Sequence, residues 1–269
     1  MIRILFILAA LLLVTTHATA GLDEGLVFYF TFDQVKGKKI LDASGNRLDA
    51  DVIANTNFVK GRYGNGIHIA AEPEGDDCIY VPADDLLKIE GEITMMAWVY
   101  HEDWEIAWGS WLDKGSQDRI DRKLSYSMGF FEAHIPFRGP KIGMILGTVQ
   151  GSWKSITTGP MKNKNWHHIA GTYDGSSLRI YLDGIIRSEV ENVFGFGFMG
   201  TNDSELRIGC AVGHPRYTFR NGSIDEVALW RRALSQDEIK TAMQDIFEVS
   251  PKDKTATTWG DIKQRKVTH

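Results

Sequence analysis

From Leu26 to Trp230 the chain is a succession of short apolar runs, each closed within a few residues by Gly, Asp, Asn or Pro. Runs of roughly four to eight residues rich in branched and aromatic side chains suit a pleated, half-buried surface, so the punctuation predicts many short strands. The clearest are Leu26 to Phe32, Ile67 to Ile69, Ile79 to Val81, Ile93 to Tyr100, Leu124 to Phe130, Lys141 to Val149 and Trp153 to Thr157. His167 to Tyr173 and Leu178 to Leu182 are joined by Asp174-Gly175-Ser176-Ser177, a hairpin connection, and Asp183-Gly184 turns the chain into Ile185 to Val190. Helical periodicity is confined to Ser235 to about Phe247, where Ser235 precedes Glu238 at capping-box spacing. This pattern predicts an all-β, two-sheet antiparallel jelly-roll sandwich with one short C-terminal helix.

The 269 residues suit one large all-β domain. Met1-Ile2-Arg3, the apolar run Ile4 to Val14 and Ala18-Thr19-Ala20 read as a secretory signal peptide over 1–20, with an apolar run too short to span a bilayer. The domain is expected over 21–249. The tail 250–269 has few core-forming residues and is expected to be poorly ordered. A net charge of −5, with acids and bases interspersed, gives no basic stripe and argues against a nucleic-acid partner. The two cysteines, Cys78 and Cys210, are compatible with one disulfide in an exported protein or with two buried thiols. Neither sits where a reactive thiolate is expected.

Arg220 to Ser235 is the most specific stretch. Asp225 stands among strong strand formers, where a carboxylate is tolerated only with hydrogen bonds, a positive partner or a metal. Together with Phe30-Thr31-Phe32-Asp33, Leu41-Asp42-Ala43-Ser44-Gly45-Asn46, Gly61 to Ile67, Ile93 to Tyr100, Trp166 to Gly175 and Ile180 to Gly184, this segment resembles the LamG-like jelly-roll domains of the concanavalin A-like lectin/glucanase superfamily. The resemblance covers about Leu26 to Ile246. It implies a ligand-binding scaffold with a concave sheet face, and a structural calcium whose matching ligands are Asp33 and Asp225, with Asn46 and nearby glycine carbonyls supplying further oxygens. Without a cation, Asp225 is left to pair with Arg220 or a turn amide.

Tyr100, Trp104, Trp108 and Trp111 crowd one acidic, loop-like stretch, and exposed aromatics of this kind mark ligand surfaces. They are the expected sugar-stacking residues, with Tyr126 and Trp153 on the same side. Trp98, Trp166 and Trp230 lie on apolar strands and read as packing residues. The paired carboxylates that a glucanase of this fold carries on one strand are absent: Glu102-Asp103 with Glu105, and Asp118 with Asp121, fall in loop-like stretches. His167 and His168 are neighbours on a strand and point to opposite faces, so they do not chelate one metal. The expected function is that of a secreted, non-catalytic module for a glycan or other extracellular ligand, with no membrane span once the signal is removed. The alternatives are a protein-adhesion or structural module, and a hydrolase or lyase with an unfamiliar residue set.

Overall fold

The structure, a computed structural model, describes residues 21–52, 57–70, 78–102, 109–116, 123–131, 141–147, 153–159, 161–162, 164–191, 201–211, 218–244 and 246. Two antiparallel sheets face each other. The eight-stranded sheet runs β15 (Ile185–Val190), β14 (Leu178–Leu182), β13 (Trp166–Tyr173), β8 (Ile93–His101), β17 (Gly222–Trp230), β6 (Asn65–Ile69) and β5 (Asn57–Lys60), with β1 (Leu26–Phe30) also on β17. The nine-stranded sheet runs β12 (Trp153–Thr157), β11 (Lys141–Gly147), β10 (Lys123–Phe131), β9 (Gly109–Ser116), β16 (Leu206–Ile208), β7 (Ile79–Val81), β4 (Ala50–Val52), β3 (Lys39–Ile40) and β2 (Val35–Lys36).

Alternate residues of both sheets point inward and form one core. Ile93, Met95, Ala97 and Val99 of β8 meet Leu112, Tyr126, Met128, Met144 and Ile208 from the opposite sheet. A second cluster lies on the outward face of the eight-stranded sheet, where helix α1 (Gln236–Ala242) sets Ile239 and Ala242 against Met96, Ala170, Tyr181, Ala228 and Trp230. The predicted capping box is formed: Ser235 Oγ accepts from Glu238 N, and Glu238 Oε2 accepts from Ser235 N. Cys78 and Cys210 form a disulfide, with their Cα atoms 5.8 Å apart.

One strand runs against expectation. Gly109–Ser116, whose first residues belong to the stretch from Tyr100 to Trp111 that reads as loop-like in the sequence, is β9, paired on both sides inside the nine-stranded sheet. Its Asp113 and Lys114 disguise it, because charged residues are scarce in central strands. Lys114 is 1 % exposed and is tolerated because its ammonium donates to Asn202 O, Asn202 Oδ1 and Ser204 O at 2.9, 2.7 and 2.6 Å. Burial lowers its pKa to about 8. The expected signal peptide, 1–20, and the expected tail, 250–269, lie outside the described residues.

Candidate functional site

Helix α1 occupies part of one outward face, and no described helix lies on the outward face of the nine-stranded sheet. Cross-strand pairing there aligns Lys39, Asp51, Tyr80 and Arg207 in one row. The row continues through Asp113, Ser127, Ile145 and Ser155. These residues point away from the core because their strand neighbours Ile40, Ala50, Ile79, Leu206, Leu112, Met128 and Met144 point into it. At one end Lys39 Nζ is 2.7 Å from Asp51 Oδ1. Arg207 lies 4.6 Å from the Tyr80 ring centroid and donates from Nε and Nη2 to Glu205 Oε1 at 3.0 and 2.8 Å. Asp113 is buried, and Ser127 Oγ donates to Leu112 O at 3.1 Å. On the edge strand β12, Trp153 is opposite Gly147, shares the face of Ser155 and is 57 % exposed. Charged and hydroxyl groups followed by a bare indole supply hydrogen bonding together with a stacking surface.

The structure separates the aromatics that the sequence groups together. Trp111 and Tyr126 are 0 % exposed members of the inter-sheet core, which corrects the expectation that they face a ligand. Trp111 packs edge-on to Phe219, and Tyr126 donates its hydroxyl to Leu87 O at 3.0 Å. Burial pushes the Tyr126 phenol far above its usual range. Once β9 is a central strand, alternation forces large residues inward where the loop reading left them free. Among the described residues of the expected set, Trp153 is the one on the outward face just described. Tyr100 is on the other sheet, half-buried beside Trp166 with ring centroids 5.7 Å apart. Trp166 is therefore a half-buried outward residue, which corrects the expectation that it packs in the core. Trp104 and Trp108 lie outside the described residues, as do Asp103, Glu105, Asp118 and Asp121. Glu102 accepts a hydrogen bond from the Tyr100 hydroxyl at 3.3 Å. Arg207, Tyr80 and Asp113 were missed by sequence reasoning; only their cross-strand register brings them together.

The two acids Asp33 and Asp225 flank one turn. Asn65 N donates to Asp33 Oδ1 at 2.7 Å, and Tyr63 N donates to Asp225 Oδ2 at 3.0 Å. Glu226 N donates to Asp225 Oδ1 at 2.8 Å. The turn lies so close that a Cβ on Gly61 would fall 2.4 Å from Asp225 Oδ2, and Gly64, at φ +51°, leaves no room for one beside Asp33. Burial raises the Asp225 carboxyl to about 7 against the pull of these amides, and the charge of Asp33 adds to the rise. Asn46 is elsewhere: its Nδ2 donates to Leu26 O and Val27 O at 2.8 and 2.9 Å, at the opposite end of β1. Seven residues of extended chain separate Leu26 from Asp33, on the order of 20 Å. The Asp42-to-Asn46 turn instead docks on β1, with Asp42 Oδ1 accepting from Tyr29 N at 3.0 Å and from Ser44 N at 2.9 Å. The two acids are fit to begin an oxygen shell for a hard cation, but no described group of three or more His, Cys, Asp or Glu side chains completes it.

Two facing antiparallel sheets with Greek-key-like crossovers, a helix on one outward face and a polar row on the other define a jelly-roll sandwich. Residues 73–240 match the Laminin_G_3 family of the concanavalin A-like lectin/glucanases superfamily, and the chain belongs to that family. No curated protein matches it. Among solved structures, the binding domain of Paraclostridial Mosquitocidal Protein 1 superposes with a TM-score of 0.64 at 17% identity, covering 84% of this chain and 53% of that one. The botulinum neurotoxin serotype D ligand binding domain in complex with N-acetylneuraminic acid gives 0.59 at 14%, covering 82% and 51%. Trypanosoma rangeli sialidase in complex with sialic acid gives 0.59 at 18%, covering 82% and 33%. The chain thus spans about half or less of the length of these proteins, and at these identities the likeness is one of fold.

Proposed function

We propose that the protein is a secreted, non-catalytic binding module that takes a carbohydrate or another extracellular ligand on the outward face of the nine-stranded sheet. The observation that carries this reading is Trp153, an indole 57 % exposed on the face that also presents Ser155, Arg207 and Tyr80. A large bare aromatic beside convergent polar groups is the usual composition of a ligand surface. The signal-like N-terminus and the Cys78–Cys210 disulfide support an extracytoplasmic setting. Two structural neighbours are complexes with sialic acid or N-acetylneuraminic acid, which supports a sugar as the ligand class. No described helix is long and apolar enough to cross a membrane.

A glycan array comparing the wild type with Trp153→Ala tests the proposal. Binding of one or more glycans, weakened about tenfold by the substitution, is expected, in line with loss of a stacking contact worth about 1.4 kcal/mol. Undiminished binding moves the site elsewhere, and binding to no glycan favours protein adhesion. That second reading has its own observation: Ile185, Ile186 and Val190 on the edge strand β15 are 53, 38 and 43 % exposed, an apolar rim suited to a protein partner.

We also propose a structural calcium between Asp33 and Asp225, with carbonyls of the Gly61-to-Gly66 turn as further donors. Two acids flanking one turn, with the more buried one raised to about 7, support it, since a bound cation relieves both burial and mutual repulsion. Asn46 is not part of this proposal.

A further inference from the structure

The outward face of the eight-stranded sheet changes character in steps along the strands. Under α1 the cross-strand neighbours Ala228, Met96 and Ala170 are small or apolar and fully packed. Two residues further along, Asp225, Trp98 and His168 are aligned and capped. Trp98 Nε1 donates to Met243 O at 3.2 Å, just past the helix, and the Arg62 guanidinium lies 4.6 Å from the Trp98 ring centroid. Another two residues along, pairing aligns Asn57, His68, Ser223, Tyr100 and Trp166 from five adjacent strands. No described element caps this last row. Asn57 is exposed, His68, Tyr100 and Trp166 are half-buried, and Ser223 is buried.

The chemistry of this row differs from that of the opposite sheet. None of its five side chains is Asp, Glu, Lys or Arg, whereas the other row carries Lys39, Asp51, Arg207 and Asp113. Tyr100 and Trp166 form a tilted pair, with an interplanar angle of 47°. The polar groups follow along one line: His68 Nδ1 lies 3.1 Å from Ser223 Oγ, and Asn57 adds an amide with both donor and acceptor capacity. Five strands at about 4.8 Å spacing make the row roughly 19 Å long. Rings at one end and the polar groups of His68 and Asn57 along the rest match a molecule that offers C–H faces and hydroxyls and bears no charge.

We propose that this row is a second carbohydrate platform, taking a linear uncharged oligosaccharide laid across the strands. The inference rests on the carbohydrate-binding reading for its ligand class alone, since it places the ligand on a different sheet and in different side chains. Tyr100 and Trp166 stack against the sugar rings, and His68 and Asn57 hydrogen-bond to its hydroxyls, with the buried Ser223 orienting the His68 ring.

Isothermal titration calorimetry of the full chain with cellohexaose, xylohexaose and chitohexaose tests it, using wild type, Trp166→Ala, His68→Ala and Trp153→Ala. At least one of the three sugars is expected to bind the wild type, with affinity reduced about tenfold or more by Trp166→Ala and severalfold by His68→Ala. His68→Ala truncates a half-buried side chain near the sheet edge and keeps the test open where Trp166→Ala does not fold. Loss of binding in Trp153→Ala with both other variants unaffected overturns this inference and upholds the nine-stranded face. Binding of none of the three overturns it as well. If the glycan array is also blank, the carbohydrate reading falls with it.

Discussion

His168 shows how one residue position carries an unseen cost. It is 0 % exposed, neither ring nitrogen has a hydrogen-bond partner among the described residues, and its ring packs edge-on to Trp98 at 5.4 Å. Burial lowers its pKa to about 3, opposed by the nearby charge of Asp183, whose Oδ1 accepts from His168 N at 2.9 Å. The unfolded chain protonates this histidine below its ordinary value of about 6.5, while the folded chain does not until about 3. Stability therefore falls as pH drops through that window, by up to about 1.4 kcal/mol per pH unit. His168→Phe is expected to flatten the dependence of Tm on pH between 6 and 4 relative to the wild type, as read by calorimetry. Parallel curves for the two proteins would show that the ring is solvated and titrates freely. Its neighbour His167 faces the other way, with Nδ1 2.9 Å from Asp183 Oδ2, as strand alternation predicts for adjacent histidines.

Among the elements, β17 decides most. A bulge between Asp225 and Ala228, with Glu226 at φ +52° and accepting from the Tyr29 hydroxyl, adds one residue relative to β8. The extra residue lets Asp225 point outward at the Gly61-to-Asn65 turn while Val227 and Leu229 still point into the core. Asp225 was conspicuous in the sequence because a carboxylate in such a run needs partners. The sequence could not choose between turn amides, a cation or both, since the turn lies 162 residues away along the chain. Chelation by EDTA is expected to lower Tm by several degrees and calcium to restore it, with Asp225→Asn insensitive to either. Identical transitions with and without chelator would remove calcium from the account and leave the amides of Tyr63 and Glu226 as the sufficient partners. The reverse error befell β9, where Asp113 and Lys114 hid a central strand because the oxygens that satisfy Lys114 come from Asn202 and Ser204.

For the whole molecule, the Cys78–Cys210 bridge closes a loop of 132 residues. In the chain-entropy account, a loop of that size stabilises by about 5 kcal/mol through the unfolded state. The Cys78→Ala/Cys210→Ala double variant is expected to unfold at clearly lower urea concentration than the oxidised wild type. Equal midpoints would show that the bridge constrains nothing that the sheets do not already hold. The bridge joins the ends of β7 and β16, the two strands that carry Tyr80 and Arg207, so it also fixes the register of the polar row.

The fold class was legible because its determinants are local. Strand-forming runs, turn residues at Asp174-Gly175 and Asp183-Gly184, and the Ser235–Glu238 cap each act within a few residues. The binding surfaces were not legible, because which face a side chain occupies depends on strand pairing over long separations, and one residue of register reverses it. Thus Trp111 and Tyr126 turned inward, Trp153 and Trp166 ended on different sheets, and Asn46 stayed with β1, far from the acids it was expected to join. The sequence by itself determined a two-sheet sandwich with a capped helix and an acid in its last strand. Only the tertiary structure decided which residues share a surface, because that depends on register and bulges that no local run of residues encodes.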